Sequence, residues 1–368
     1  MSQTNGIKQV VYFDCAGGGQ VVVSGTTAFI GHIKPPHGTT IVDVSDPARP
    51  AKLAEISVPA DAHSHKVRAV DGVMLVNREA APRTQPGPGF KGGLGIYDVS
   101  RPSSPREITF WQCKGIHRFT FDGRYAYISP DLDGYLGNIV MILDLKDPAH
   151  PEEVGRWWMP GQWTAGGETA TWQGKAHRCH HPIRSGNRLY VSYWQAGFVI
   201  LDIEDMAKPR FISGLDWSPP FACPTHSTVP VPFPLRGRRV MLVADEDVQR
   251  PDTAPPAFLW LVDITDDKDP VPFASYQVPG VGGSGPTFSG CHQPVEDIKG
   301  TEIPVAWFAQ GLRFIDIANP HAPREVASFM PPVPEGADRV CSNDVFVDGR
   351  GLIYLIDRTR GLHIVERT

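Results

Sequence analysis

The chain has 368 residues, with 35 Lys and Arg against 40 Asp and Glu for a net charge of −5, and it holds no basic run, which excludes the electrostatic footprint of a nucleic-acid binder. Glycine (37) and proline (36) are each abundant, yet hydrophobic residues make up 41%, so the composition is that of a turn-rich globular protein and not of a disordered one. No segment approaches a membrane span in apolar length, and the opening MSQTNGIKQVVYF lacks the charged start and apolar stretch of a leader; the expectation is a soluble, cytoplasmic protein with no membrane partner.

In chain order, the first predicted element is a strand at IKQVVYF (7–13). A phrase then recurs: VDVSDPARP (42–50), YDVSRPSSP (97–105), LDLKDPAHP (143–151), LDIEDMAKP (201–209), VDITDDKDP (262–270) and IDIANPHAP (315–323). Each copy is a short β-branched strand, an aspartate, and a turn ending in proline, which cannot continue a central strand. A further strand follows each copy, and a hairpin of two alternating strands precedes it, as in HRFTFDGRYAYISP (117–130). Each unit is therefore four strands, recurring roughly every 45 to 65 residues, the period of propeller blades. A last unit, SNDVFVDGRGLIYLIDRTRGLHIVE (342–366), stops after three strands, and 7–13 supplies the missing outer one, removing an exposed edge.

The expected fold is all-β: a seven-bladed propeller of four-stranded antiparallel blades, one domain over 1–368, with blades near 17–60, 61–115, 116–161, 162–220, 221–280, 281–333 and 334–368. The phrases FVILDI (198–203) and LWLVDI (259–264) resemble the LVIVD-repeat propeller family. That resemblance implies the fold over nearly the whole chain and no particular reaction, so function is sought in the site.

Aligning the units on the start of the innermost strand gives the column Gly19, His65, His117, His181, His226, His292, Asn343. Innermost strands line the central channel, so five histidines are expected to converge on the axis near one mouth. Neutral imidazole is the commonest ligand for Fe, Cu, Zn and Ni, and rigid strands hold it well. A divalent metal ion is expected there: iron first, then manganese, zinc or copper. Gly19 and Asn343 leave a gap through which substrate or water would reach an open coordination position.

Further histidines lie nearby, namely His63, His177 and His180, with His32 and His37 in GHIKPPH. Cys179, Cys291 and Cys341 precede column positions and are expected to fill space between blades; the six cysteines include no C-x-x-C pair and suit reduced thiols. Second strands return to the same mouth and end at Glu79, Asp131, Tyr193-Trp194-Gln195, Glu246, Gln310 and Asp357-Arg358. Glu79 and Glu246, with Asp344 beside Asn343, are the candidate catalytic carboxylates, suited to orienting a ligand histidine or accepting a proton. Irregular stretches at 80–93, 159–178, 247–257 and 281–290 are candidate rim loops. Around the second of these, Trp157, Trp158, Trp163 and Trp172 would roof a pocket for an aromatic or otherwise apolar molecule or else pack between blades, with packing the reading for Trp157 and Trp158.

The formal fingerprint Gly87-x-Gly89-x-x-Gly92 lacks its βαβ setting and is set aside. The pattern predicts a metal-dependent enzyme on a small organic molecule. Oxidation comes first, because the architecture resembles that of carotenoid-cleaving dioxygenases and of methanethiol-oxidising selenium-binding proteins. A Mn or Zn lyase or hydrolase, as in oligogalacturonate lyases, is the alternative within enzymes. A non-catalytic protein-binding scaffold is the alternative outside them. The pattern gives no oligomeric state.

Overall fold

The aspartate of each repeated phrase ends a strand by capping its own turn. Its carboxylate accepts the backbone N–H two residues on, at 2.8 Å from Ser45 to Asp43, 3.0 Å from Ser100 to Asp98 and 2.8 Å from Lys146 to Asp144, and the same bond recurs at Asp202, Asp263 and Asp316. An Asx turn of this kind takes the backbone donor that a continuing strand would need, so the chain reverses into the outer strand.

The computed structural model describes residues 4–81, 86–172, 174–218, 221–248, 250–251, 253–281 and 287–368. Parts of three of the expected rim loops and Gln173 of the fourth lie outside the described residues. Antiparallel sheets of four strands recur along the chain, the first running Gly18–Ser24, Thr27–His32, His37–Asp43, Ala51–Ser57 from the inside outwards. One larger sheet is two such units joined by the single pair Trp194 and Thr225. In the last unit, Ser342–Val347 is innermost and Ile7–Ala16 is outermost, pairing antiparallel with Arg360–Arg367. The ring is thus closed by joining the two ends of the chain. The described residues hold no α-helix, and no helix is long and apolar enough to cross a membrane.

Each sheet is covered on both faces by its neighbours, which is why inner strands such as Val240–Asp245 read as continuous apolar runs. Phe29 and Ile41 of the first unit pack with Met74 and Val76 of the second. Leu75 and Ile96 of the second then pack with Phe119 and Ile128 of the third, and so on round to Tyr354 and Ile356, which meet Val21 and Ile30. All six cysteines are free thiols, and Cys179, Cys291 and Cys341 are buried between sheets as expected. Burial pushes the Cys341 thiol up to about 12, so it is protonated at neutral pH.

Trp157 packs edge-on against Tyr193, Trp158 meets Trp163 and Tyr135, and Trp172 stacks on His177. Gly92 begins a strand and not a helix, in keeping with rejection of the dinucleotide fingerprint.

Candidate functional site

The innermost strands begin at one mouth of the ring and carry two successive layers of polar side chains across the axis. The hairpin register fixes which residues share a layer. Ser129 Oγ accepts the N–H of Arg118, Ser192 Oγ that of His181, and Asn77 Oδ1 that of Lys66. Lys66, Arg118 and His181 are therefore equivalent, and the residues before them, His65, His117 and His180, form the layer nearer the mouth. This corrects the sequence alignment in the fourth unit: the histidine in the column is His180, not His181. Successive strand residues point to opposite sides, so His181 faces the lower layer, its Nε2 3.6 Å from Glu296.

In the upper layer the imidazoles touch in sequence. His63 stacks on His65 at 4.0 Å between ring centres, His65 lies 5.0 Å from His117, His117 4.7 Å from His180, His180 4.6 Å from His226 and His226 4.1 Å from His292. Glu79 reaches in beneath His117, accepting from Nδ1 at 2.7 Å, and Glu246 stands 3.3 Å from His292 Nε2. Ligand atoms of His63, His65 and Glu79 lie within 4.8 Å of one another, as do those of His180, His226 and Glu246. His117 joins the two groups, since its other nitrogen is 2.9 Å from His180 Nε2.

The hydrogen bonds to backbone carbonyls set the tautomers. His63 Nδ1 donates to Ile33 O at 2.7 Å, His180 Nδ1 to His226 O at 2.9 Å, and His292 Nδ1 to Asn343 O. Burial pushes the pKa of His63 and of His292 down to about 4, and that of His180 well below its ordinary value. Near neutral pH each is therefore uncharged and turns a bare Nε2 lone pair inwards, as metal-ligating histidines do. Burial opposes charge on Glu246, while nearby positive charge favours it, and the His292 contact lowers its carboxyl only when a proton lies between Glu246 and His292 Nε2. Burial pushes Glu79 up to about 7, partly offset by His63, Arg178 and Lys66.

Two electron-rich contacts result. His292 Nε2 faces an ionised Glu246, and when Glu79 is ionised and accepts the His117 proton, the Nε2 lone pairs of His117 and His180 face each other. Either contact is repulsive unless a proton or a metal cation sits between the atoms. The donor set of imidazoles and carboxylates, held by strands, fits a divalent transition metal.

Other predicted residues fall elsewhere. His226 lies among the cluster, but Arg118 donates to its Nε2 at 2.6 Å and its Nδ1 meets Ser227 Oγ at 2.8 Å, so both nitrogens are engaged. Asp344 is in the lower layer, accepting the Val21 N–H at 3.0 Å, and burial raises it to about 6 against the pull of Lys66. It is not placed to act at the histidines. His32 bonds Ala16 O and Thr40 Oγ1, His37 pairs with Glu55, and His177 stacks on Trp172, all away from the cluster. Asp131 lines a separate cavity beside Lys114, and the Gln310 carbonyl accepts from Arg313. The Tyr193 hydroxyl binds Gln162, Trp194 lies on His180, and Gln195 accepts the Ala176 N–H. Asp357 caps the N–H groups of Cys341 and Thr359. Sequence reasoning passed over His63 and His180 as members of the ring, and Arg178, which lies over Trp194 at 4.4 Å.

The expected gap at Gly19 is filled. A Cβ on Gly19 would meet the His65 Cβ at 2.7 Å, and Gly19 O accepts from Lys66 Nζ at 3.0 Å and Asn343 Nδ2 at 2.8 Å. Gly19→Ala should therefore cost about 1–3 kcal/mol through overpacking, measured by urea denaturation; a loss below a few tenths would show that His65 yields freely.

Fold and axis together define a β-propeller with a histidine-lined centre. The LVIVD repeat family model matches residues 18–55, 89–110, 120–158, 184–216 and 303–331. No curated protein matches the chain in sequence. Similar solved structures include Saccharomyces cerevisiae Sqt1 (9% identity, all of both chains, TM-score 0.58) and the WD40 β-propeller domain of Doa1 (8%, 99% of this chain and 98% of that one, TM-score 0.57). A third is a chain from the S. cerevisiae complex of a Dbp5 variant bound to Nup159, a Gle1 variant, IP6 and ADP (12%, 99% and 95%, TM-score 0.56). At these identities the likeness is one of fold.

Proposed function

We propose that the chain is a metal-dependent enzyme acting on a small organic molecule at the mouth of the propeller axis. The observation that supports this reading is the set of inward Nε2 lone pairs on His63, His180 and His292, each fixed by a backbone carbonyl on the opposite nitrogen. His117 and His180 would be the central ligands, with His63, His65, His292 and Glu246 completing the set, and His226 supporting them through its bond from Arg118. The cation would act as a Lewis acid or, if iron or copper, as a redox centre. Glu79 would orient His117 and, with its pKa near neutrality, take up and return a substrate proton. Oxidation with iron is the first expectation, and lyase or hydrolase chemistry with Mn or Zn the second.

The test is elemental analysis of the purified, untagged chain beside a His117→Ala/His180→Ala variant. We expect a stoichiometric transition metal in the first and at least a tenfold loss in the second, in line with the cost of removing metal-site residues. Absence of metal in both, even after incubation with ferrous iron, manganese or zinc, would overturn the reading. It would leave a protein-binding propeller, a role supported only by a fold neighbour solved in complex with protein partners.

A further inference from the structure

Between the first and last units a cavity of about 430 Å³ is lined by Gly17, Lys34, His37, Arg358 and Arg360 together with Asp14. Asp14 is taken up by Arg360, which holds both its oxygens at 2.6 and 2.7 Å. Arg358 has no carboxylate within ion-pair distance among the described residues; it donates to the neutral Asn343 Oδ1 at 2.9 Å and lies 5.5 Å over the Phe288 ring. Lys34 is exposed at the rim and likewise has no carboxylate partner among the described residues. One Arg358 nitrogen is taken by Asn343, and a guanidinium's remaining N–H groups match the planar fork of a carboxylate.

The cavity adjoins the histidines on two sides. Gly17 O accepts the Ile33 N–H at 2.9 Å, and Ile33 O accepts His63 Nδ1–H at 2.7 Å. On the other side Asn343, held by Arg358, receives His292 Nδ1–H on its carbonyl. Gly17 permits this closeness, because a Cβ there would meet the Arg358 carbonyl oxygen at 2.0 Å.

We propose that this cavity binds the carboxylate of a small organic acid through Arg358, with Lys34 as the second cation, so that the remainder of the molecule lies towards His63 and His292. The placement of the reacting end rests on the metal-site reading above; carboxylate recognition by Arg358 does not.

The experiment is isothermal titration of the full chain with succinate, and with succinamide as the neutral isostere, before and after chelator treatment. Succinate is expected to bind both forms and succinamide neither. Arg358→Gln should weaken succinate by about tenfold or more, the worth of a charge-assisted pair, with Arg358→Lys intermediate, Lys34→Ala weaker than wild type, and melting temperatures unchanged. Equal binding of succinamide, no succinate binding in either form, or affinity indifferent to Arg358→Gln and Lys34→Ala would overturn the inference. Binding confined to the metal-bearing form and indifferent to Arg358→Gln would overturn it while supporting the metal site. Succinate binding that depends on Arg358 in a chain that holds no metal under any loading would overturn the metal site alone.

Discussion

Acidification is expected to unfold this chain in a single cooperative step near about pH 5. Burial pushes His32, His63, His292 and His363 down to about 4, and pushes His65, His117, His180, His181 and His226 well below their ordinary value. In the unfolded chain all of these titrate near about 6.5. Below that pH the unfolded state binds more protons than the folded state, so stability that is fully present above it is lost as the pH falls.

Buried carboxyls work the other way, Asp131 and Asp357 among them. Burial raises Glu79 to about 7, Asp344 to about 6 and Asp245 to about 8, so the folded state takes their protons first and gains from acid. The lowered imidazoles, His177 among them, outnumber the raised carboxyls. Each unmatched proton is worth about 1.4 kcal/mol per pH unit, against a total stability of about 5–15 kcal/mol, and one to two units of pH exhaust it. A bound cation leaves the direction unchanged, because its ligands must be unprotonated. Tryptophan fluorescence and far-UV circular dichroism from pH 8 to 4 measure the transition; a native spectrum retained at pH 4 would refute the account.

The fold was legible because the repeat carries its own mechanism. An aspartate that must cap a turn and a proline that must follow it recur as letters, and strand 7–13 was left to supply the outer strand that the three-stranded last unit, 342–366, lacked. The site was legible as a column of residue types but not in its register. At HRCHHP two adjacent histidines compete for one position, and only the hairpin decides between them. Arg118 to Ser129 spans the same interval as His181 to Ser192 and Lys66 to Asn77, a signal present in the sequence that places His180 beside His117. Glu79 and Glu246 were found because strand ends return to the mouth. Asp344 was misplaced by one residue, which in a strand is the other face. Arg118 and Glu296 drew no notice, since nothing local distinguishes a charge destined for the axis from one on the surface. Only closure of the ring brings residues 178 apart in sequence to 3.4 Å.

That lower layer yields the largest mutational effect expected. Arg118 is 1% exposed, and its guanidinium donates to His226 Nε2 at 2.6 Å and to Glu296 Oε1 at 3.4 Å. Arg68 holds the other oxygen of Glu296, while Lys66 and Asp344 share the same enclosed space. Removing one member strands the others: Arg118→Met leaves Glu296 half-compensated and the His226 lone pair bare in a dry interior. Breaking a buried pair in this way costs about 3–5 kcal/mol, a substantial part of the whole stability. Replacing Glu296 by Gln in the same chain removes the stranded charge and should recover part of that loss. The metal site should respond in the opposite sense, because freeing His226 Nε2 adds a lone pair to the cluster, so Arg118→Met should retain its metal while losing stability. Urea denaturation together with elemental analysis separates the two effects. A loss under about 1 kcal/mol would mean that water enters the layer and screens it, and loss of metal from the folded variant would show that Arg118 holds His226 in place for the cation rather than away from it.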